Sequence, residues 1–366
     1  MSSEIKALRE AVSGLLQKHS SEAQVRELMA TDTGHDETAW AELSDMGLLG
    51  LAIPEQFGGA GAGHVEMSAV CEEMGRALLC GPFFSTAVLA PALLAAGGDA
   101  DEQARVLPTI ADGSAVVALA FAEGTAATPP AEPATAATES ADGWQLTGEK
   151  NYVLDAGAAD LLYVLAATPA GPSVFAVQRG AAGLESVALT GVDLTRKLHR
   201  VRFSDTPARL VGKPGSGAAT FAAALEAGGV AMLGEQAGGT YRTMQMAVDY
   251  ARTRFQFGRA IGSFQAVKHM CADMLLEAES AVSAARHVAA AYDAGDATRA
   301  ADLALAQAYC ADAYVTVAAT SIQVHGGIGF TWEHPAHLYL RRARTDAQLL
   351  GDPAWHRERY LQLKGA

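Results

Sequence analysis

The spacing of apolar residues changes at two points along this chain, from helical to strand-like and back to helical, and this change limits the fold more than any other feature. Near the N-terminus, apolar residues recur at helical spacing, as in Ile5, Leu8 and Val12. Beyond about residue 112, short alternating or β-branched runs appear, such as Leu161-Leu-Tyr-Val-Leu, bounded by Gly, Asp and Pro. Such runs are typical of an antiparallel β-domain. After Pro214 the chain returns to long helical patterns.

These patterns predict an α+β fold of three domains. We expect a helical N-terminal domain at residues 1–112, a middle β-barrel or sandwich at 113–212, and a helical C-terminal domain like a four-helix bundle at 213–366. The long helices of the last domain are predicted at 217–253, 263–293, 297–325 and 335–349. A low-complexity insert, Thr125-Ala-Ala-Thr-Pro-Pro-Ala-Glu-Pro-Ala-Thr, is expected to form a surface loop.

Composition narrows the class of protein. At 366 residues the chain is too long for one typical core, and with 50% hydrophobic and 19% charged residues it is globular. No apolar run reaches the length needed to span a bilayer uninterrupted by charge, and the N-terminus is polar, so we expect a cytoplasmic protein without a membrane partner. A net charge of −14 argues against nucleic acid as the partner.

Metal and dinucleotide motifs of the common kinds are absent from the sequence. The four cysteines show no ligand spacing, and the ten histidines are scattered, so we assign no metal and no disulfide. Neither a βαβ alternation nor a G-x-G-x-x-G run occurs, which counts against a Rossmann domain.

One short stretch concentrates cations in this acidic chain. Arg252, Arg254, Arg259 and Lys268 fall in one predicted turn between two helices, where they could bind an anion such as a diphosphate. For an arbitrary group of four cations, a solvated turn would be the better interpretation. Here the interleaved aromatics and amides favour a binding site: Phe255, Phe257, Phe264, Gln256 and Gln265.

A second motif ends a predicted helix in glycines, Gln323-Val-His325-Gly326-Gly327-Ile-Gly329-Phe330. Glycines let backbone amides approach a ligand closely, and the glutamine both donates and accepts hydrogen bonds. Alone, this pattern would be a simple helix C-cap. A third motif, Gly148-Glu-Lys-Asn-Tyr152-Val-Leu-Asp155, places an aromatic residue on a strand, and a fourth, Ile53 to Gly59, is a Pro- and Gly-rich loop.

In this order and spacing the motifs resemble those of the acyl-CoA dehydrogenase family, and the resemblance covers essentially the whole chain. It implies FAD and at least a dimer, usually a tetramer packed through the C-terminal helices. In that family, Arg254, Phe257 and Gln265 would hold the diphosphate and adenine ends of FAD. Gln323, Gly326 and Gly327 would receive the adenosine of the cofactor bound by a neighbouring chain. The predicted cofactor residues also include Gln256 and Tyr152.

The family's reaction needs a carboxylate that removes an α-proton of an acyl-CoA while hydride leaves the β-carbon for the flavin. Burial suits a glutamate to this task because it raises the pKa. The two positions where relatives carry the base are occupied here by Leu350 and Gly228, and neither side chain accepts a proton. An arginine common in relatives is replaced by Gly229.

Three nearby carboxylates could compensate for the missing base: Glu226, Glu235 and Asp352. For each glutamate, a place on a helix surface or interface is the more common role. The middle domain also departs from the family pattern. Only Glu123 matches the usual Thr-Glu-Pro run, and Tyr152-Val153-Leu154 stands where an aromatic–Ile–Thr usually backs the flavin.

Three functions follow from the resemblance. The leading hypothesis is a FAD-dependent acyl-CoA dehydrogenase component, similar to the degenerate subunits of heteromeric actinobacterial enzymes that process steroid side chains. Those chains also end in a Leu-Leu-Gly and a short helix, as Leu349-Leu350-Gly351 does here. The alternatives are a self-sufficient homotetramer with a relocated base and a non-catalytic acyl-CoA-binding or structural subunit. The family usually passes its electrons to an electron-transfer flavoprotein.

Overall fold

The computed structural model describes residues 2–140 and 143–365, which form two compact units. The helical unit comprises the described residues of Met1–Val25, His64–Leu79 and Gly229–Ala366, and the sheet unit comprises those of Arg26–Gly63 and Cys80–Gly228. The predicted three-domain fold, with helical N- and C-terminal domains around a middle β domain, is confirmed. The boundaries at residues 112 and 212 stay a prediction.

The helices are largely those that hydrophobic spacing predicts, although the last long one ends at Asp346 rather than at residue 349. Their bounds among the described residues are α1 (Ser3–His19), α2 (Glu22–Leu28), α3 (Glu37–Asp45), α4 (His64–Ala77), α5 (Ala90–Gly97), α6 (Ala100–Ala111), α7 (Gly217–Thr253), α8 (Gln265–Ala294), α9 (Arg299–His325), α10 (Ala336–Asp346) and α11 (Pro353–Lys364). A π-helical segment at Phe84–Leu89 leads into α5.

Glycines let α7 pack at backbone distance inside the helical unit. A Cβ atom at Gly238 would overlap the Glu72 carbonyl oxygen of α4, and one at Gly239 would overlap the Tyr314 hydroxyl of α9. The apolar core here joins α7, α8 and α9 through residues such as Val230, Ala281 and Cys310. By length and composition α7 could cross a membrane, but its most apolar stretch is mostly buried, as in the core helix of a folded protein.

The sheet unit contains a mixed seven-stranded sheet. Its strands are β1 (Val117–Ala120), β2 (Ala136–Ser140), β3 (Gly143–Leu154), β4 (Leu161–Thr168), β5 (Gly171–Gln178), β6 (Leu184–Ala188) and β7 (Leu198–Val211). In the order β4-β2-β3-β7-β5 each strand pairs with the next, and β5 pairs back with β4, which closes a barrel. The remaining strands extend it, because β1 adds to β4 and β6 adds to β7.

The expectation of an antiparallel β-domain holds for five strand pairs of this sheet and is wrong for two. β1 runs parallel to β4, with Val117 opposite Leu161, and β2 meets β4 in parallel through Ala136 and Ala167. The reason is topological. The chain between β1 and β4 is long enough to bring the second strand back in the same direction, which a tight hairpin cannot do. Four-residue β1 is buried throughout, as expected for a parallel strand covered on both faces.

Candidate functional site

A tight two-stranded hairpin, rather than a simple turn, separates α7 from α8. β8 (Phe255–Gln256) pairs with β9 (Arg259–Ala260), and the two turn residues both have positive φ, 53° at Phe257 and 76° at Gly258. Positive φ at both positions is the requirement of a type I′ turn. The Phe257 side chain is 90% exposed at the tip of this hairpin. An aromatic ring held outward in this way is available to a ligand or to another chain.

The four cations of this corner are exposed and carry no ion pair within the described part of the chain: Arg252, Arg254, Arg259 and Lys268. The guanidinium of Arg259 instead lies 4.0 Å from the centre of the Phe264 ring. The N-terminus of the 30-residue α8 begins beside the hairpin at Gln265 and adds the positive end of its dipole. Unpaired cations at a helix N-terminus form an anion-binding surface.

The glycine motif lies at the same end of the helical unit. α9 ends at His325, whose ring lies 4.6 Å from Tyr250 of α7 and 4.3 Å from His334, measured between ring centres. Burial lowers the pKa of His325, and its Nδ1 lies 2.7 Å from the Ser321 carbonyl oxygen. The structure therefore brings the last turns of α7, which lead into the hairpin, close to the start of the glycine motif within one chain.

Beyond His325 the glycines face open space. Gly326 has φ 65°, and a Cβ at Gly326 or Gly327 would meet no atom within 4 Å. Gln323, on the last turn of α9, is exposed. These positions have room for a ligand or a neighbouring chain. Together with the unpaired cations, this end of the helical unit fits the diphosphate and adenosine of FAD.

In the sheet unit, Tyr152 lies at an irregularity of the barrel. The register between β3 and β7 shifts between Lys150 and Val153, and Tyr152 has φ 55°. A β-bulge of this kind turns one side chain away from the regular alternation, and bulges concentrate near functional sites. The bulge is fixed from below, because the backbone N–H of Asn151 donates to Ala122 O at 2.9 Å and its side chain donates to Gly124 O at 3.1 Å.

A buried ion pair supports the same place, and sequence reasoning did not assign it. Lys150 Nζ lies 2.6 Å from Glu123 Oε1, and the lysine side chain is fully enclosed. Burial acts to raise the pKa of Glu123, but the hydrogen bonds from Lys150 and from the backbone of Thr135 and Ala134 lower it on balance. Glu123 thus closes the base of the Pro/Ala insert onto β3. The sequence signal that could have indicated this ion pair is Lys150, two residues before the aromatic Tyr152.

Leu350, predicted from the family resemblance to occupy the position of the base, is held firmly. Leu350 is buried and has φ 63°, a conformation that costs a branched residue free energy and persists where the surroundings impose it. A Cβ at Gly351 would lie 2.6 Å from the ring of Trp355 and 3.1 Å from His356. Burial lowers the pKa of His356 to about 4, so this imidazole is neutral near pH 7.

Glu235 and Asp352, two of the candidate carboxylates, take part in identified structural contacts. Glu235 Oε1 lies 2.6 Å from Arg342 Nη1, with side-chain exposures of 8% and 3%. Asp352 is the N-cap of α11, accepting from Trp355 N at 2.7 Å. Glu226 is half-buried on α7, two residues before Gly228. Glu226 and Glu235 both lie on α7, whereas Asp352 begins α11; Glu226 belongs to the sheet unit and the other two to the helical unit.

No group of three or more metal-ligating side chains occurs within residues 2–140 and 143–365, and the four cysteines there are free thiols.

Comparison with known proteins gives consistent matches along the chain. The N-terminal domain of acyl-CoA dehydrogenases matches residues 2–114 and their C-terminal domain matches residues 215–361. Acyl-CoA dehydrogenase IpdE2 of Mycobacterium tuberculosis is 36% identical over 94% of this chain and 92% of its own length. The IpdE2 of Mycolicibacterium smegmatis is 32% identical over 96% of each chain.

Two solved structures are similar in both fold and sequence. The ChsE4-ChsE5 complex from Mycobacterium tuberculosis superposes with a TM-score of 0.90 at 28% identity, covering 100% of this chain and 98% of the other. A steroid acyl-CoA dehydrogenase variant, Tcur3481-Tcur3483, gives a TM-score of 0.89 at 29% identity, covering 99% and 98%.

Proposed function

The chain belongs to the acyl-CoA dehydrogenase family of oxidoreductases, whose members are flavoproteins, and we propose that it is the FAD-holding subunit of a heteromeric member. The reaction would be the α,β-desaturation of an acyl-CoA thioester. In this proposal a second, related chain supplies the catalytic base.

One contrast carries this proposal: the chain presents four unpaired cations for an anionic cofactor but no available carboxylate at either usual base position. Gly228 and Leu350 cannot accept a proton. Glu235 is neutralised by Arg342, and Asp352 accepts a hydrogen bond at the start of α11. A carboxylate whose oxygens are already engaged in an ion pair or a helix cap is poorly placed to take a proton from a substrate.

The residues of the hairpin corner have distinct tasks in this proposal. Arg254 supplies charge-assisted hydrogen bonds to a diphosphate, and Gln256 and Gln265 supply neutral donors and acceptors. Phe257 offers a ring face. On the neighbouring chain's cofactor, Gln323 and the backbone of Gly326 and Gly327 would contact the adenosine.

Tyr152, on the bulge of the barrel, would back the flavin ring. Bound FAD would supply the chemistry of hydride acceptance. This chain's own residues bind and orient the cofactor, and Leu350 offers an apolar wall where relatives carry the base. Removal of the α-proton therefore depends on a carboxylate from outside the two usual positions.

The similar solved structures suggest the substrate class. Because similar structures include a steroid acyl-CoA dehydrogenase, we propose a bulky, steroid-derived acyl-CoA and a role in lipid catabolism. Electrons would pass to an electron-transfer flavoprotein in the cytoplasm. The assembly would be a tetramer with an acyl-CoA dehydrogenase-like chain.

The test is co-expression of this chain with acyl-CoA dehydrogenase-like chains of the same organism, followed by purification and flavin analysis. We expect a co-purifying partner, visible flavin absorbance, and loss of that absorbance when Arg254 is replaced by Met. Purified protein without flavin, with or without a partner, would instead favour a non-catalytic, acyl-CoA-binding or structural subunit.

A self-sufficient homotetramer is the second candidate, and one observation favours it. Glu226 is half-buried on α7, two residues before Gly228, which is one of the two positions where relatives carry the base. If the chain alone desaturates acyl-CoA, Glu226→Gln should lower turnover by several orders of magnitude. The same change in a heteromer should leave turnover nearly unaltered.

A further inference from the structure

A buried glutamine on α9 lacks the hydrogen bonds that its environment requires. Gln307 is 7% exposed, and its carboxamide makes no hydrogen bond to any of the residues that the structure describes. The carboxamide atoms are not sealed inside the protein, because they keep a small contact with accessible space. Buried polar groups are hydrogen-bonded in almost all proteins, so each exception calls for a partner.

The carboxamide lies in a cradle formed by a missing side chain. A Cβ atom at Gly229 of α7 would lie 2.8 Å from Gln307 Nε2, 3.1 Å from Cδ and 3.2 Å from Oε1. Any side chain at position 229 would therefore displace the amide. The absence of a Cβ at this point of a helix is what leaves room for the glutamine head group.

Several residues beside Gly229 and Gln307 along their helices are apolar. Val230 of α7 and Ala306 and Cys310 of α9 belong to one buried hydrophobic cluster. Among the described residues the carboxamide has no hydrogen-bond partner. A buried amide without a hydrogen bond is unfavourable, and a methionine of the same length would fit this interface at lower cost. Packing alone therefore gives no reason for a glutamine at position 307.

We propose that Gln307 is a ligand-binding residue, whose carboxamide hydrogen-bonds a polar group of the bound acyl-CoA at the Gly229 cradle. This inference rests on the proposed acyl-CoA function and extends it to a residue outside the family motifs. Because the carboxamide both donates and accepts, it matches an amide or a hydroxyl group. Two parts of an acyl-CoA carry such groups: the pantetheine arm, with its amides, and an oxygenated acyl chain.

The test measures binding by isothermal titration calorimetry, with the chain in the complex in which it is isolated and no electron acceptor present. The probes are coenzyme A, octanoyl-CoA and ω-hydroxyoctanoyl-CoA. Gln307→Met should weaken binding of at least one probe by roughly tenfold, the value of one hydrogen bond to a buried amide. Gly229→Ala should weaken the same probe, because its methyl group displaces the amide from the cradle.

The probes separate the two sources of the polar group. Weaker binding of all three places the pantetheine arm at Gln307, and weaker binding of the hydroxylated probe alone places the acyl oxygen there. The matched control is Gln236→Met, a buried glutamine on α7 whose Oε1, unlike the Gln307 carboxamide, is sealed from accessible space and so out of reach of a ligand. That change should leave all three affinities as in the wild type.

Two outcomes contradict the inference in different ways. If the wild-type complex binds the probes and Gln307→Met binds them equally well, Gln307 is not a ligand residue, while the proposed function stands. If the wild-type complex binds none of the probes, the proposed acyl-CoA function fails and the inference fails with it. Melting temperature provides a check on folding, and Gln307→Met without ligand should melt at or above the wild-type temperature.

Discussion

The buried Glu235–Arg342 pair allows a decisive choice between two roles for Glu235. Its oxygen lies 2.6 Å from Arg342 Nη1, and Arg342 Nη2 lies 3.2 Å from the Leu79 carbonyl oxygen just beyond α4. Replacing Glu235 by Ala removes the carboxylate that pairs with Arg342 and leaves the guanidinium group of Arg342 buried. Breaking one side of a buried pair costs about 3–5 kcal/mol. We expect Glu235→Ala to lose free energy of unfolding of that size.

The double variant Glu235→Leu/Arg342→Met is the control that separates the pair from the site. Replacing both charges by apolar side chains removes the uncompensated charge, so it should recover most of the loss. The assay is urea unfolding at a fixed protein concentration, because the stability of an oligomer depends on concentration. Turnover of the partnered enzyme is measured on the same samples.

A catalytic role for Glu235 would give the reverse pattern. Glu235→Gln would then lose several orders of magnitude in turnover while its unfolding midpoint stayed at the wild-type value. If Glu235→Ala has wild-type stability, the buried Glu235–Arg342 pair does not stabilise the fold as expected.

Three further predictions follow from the site. Arg254→Met should weaken FAD retention by about tenfold or more, in a salt-dependent way. The control is Arg179→Met, which replaces an exposed arginine near Asp160 on the barrel and should leave FAD retention unchanged. Flavin release followed by fluorescence measures both. Asp352→Ala should cost about 1 kcal/mol through the lost N-cap and leave turnover of the complex nearly unchanged. The pKa of Glu123 is lowered from 4.5, so its pair with Lys150 contributes stability above about pH 4.5, which is lost as the pH falls through the folded pKa. Urea midpoints of wild type and Lys150→Met should therefore differ most at neutral pH and converge in acid.

The helical C-terminal region was predictable because its signals are local and long. The predicted helix at 217–253 has the observed bounds of α7, and those at 263–293 and 297–325 differ from α8 and α9 by two residues or fewer at each end. Apolar spacing over many turns and the glycine at 295 define these ends within one element. The β domain is different, since β2, β6 and most of β7 lack an apolar run and are specified by pairing with distant strands.

The site was predictable where a motif lies on consecutive residues. The cationic hairpin and the glycine end of α9 are read directly from the chain, although the I′ turn at Phe257 and Gly258 is not, since a phenylalanine seldom takes positive φ. Roles that depend on tertiary contacts could not be predicted from the sequence. Glu235 remained a candidate base because its partner lies 107 residues away on α10. Gln307 drew no notice because only its packing against Gly229 distinguishes it from a surface glutamine.

In the proposed heteromer this chain holds the flavin, and another chain supplies the catalytic base. The most direct measurement is acyl-CoA-dependent dye reduction by the purified chain alone, reconstituted with FAD, and by its complex with the co-purifying acyl-CoA dehydrogenase-like chain. We expect turnover only for the complex. We also expect Arg254→Met to abolish the retention of flavin. Sustained turnover by the isolated chain, abolished by Glu226→Gln, would contradict the proposed heteromer.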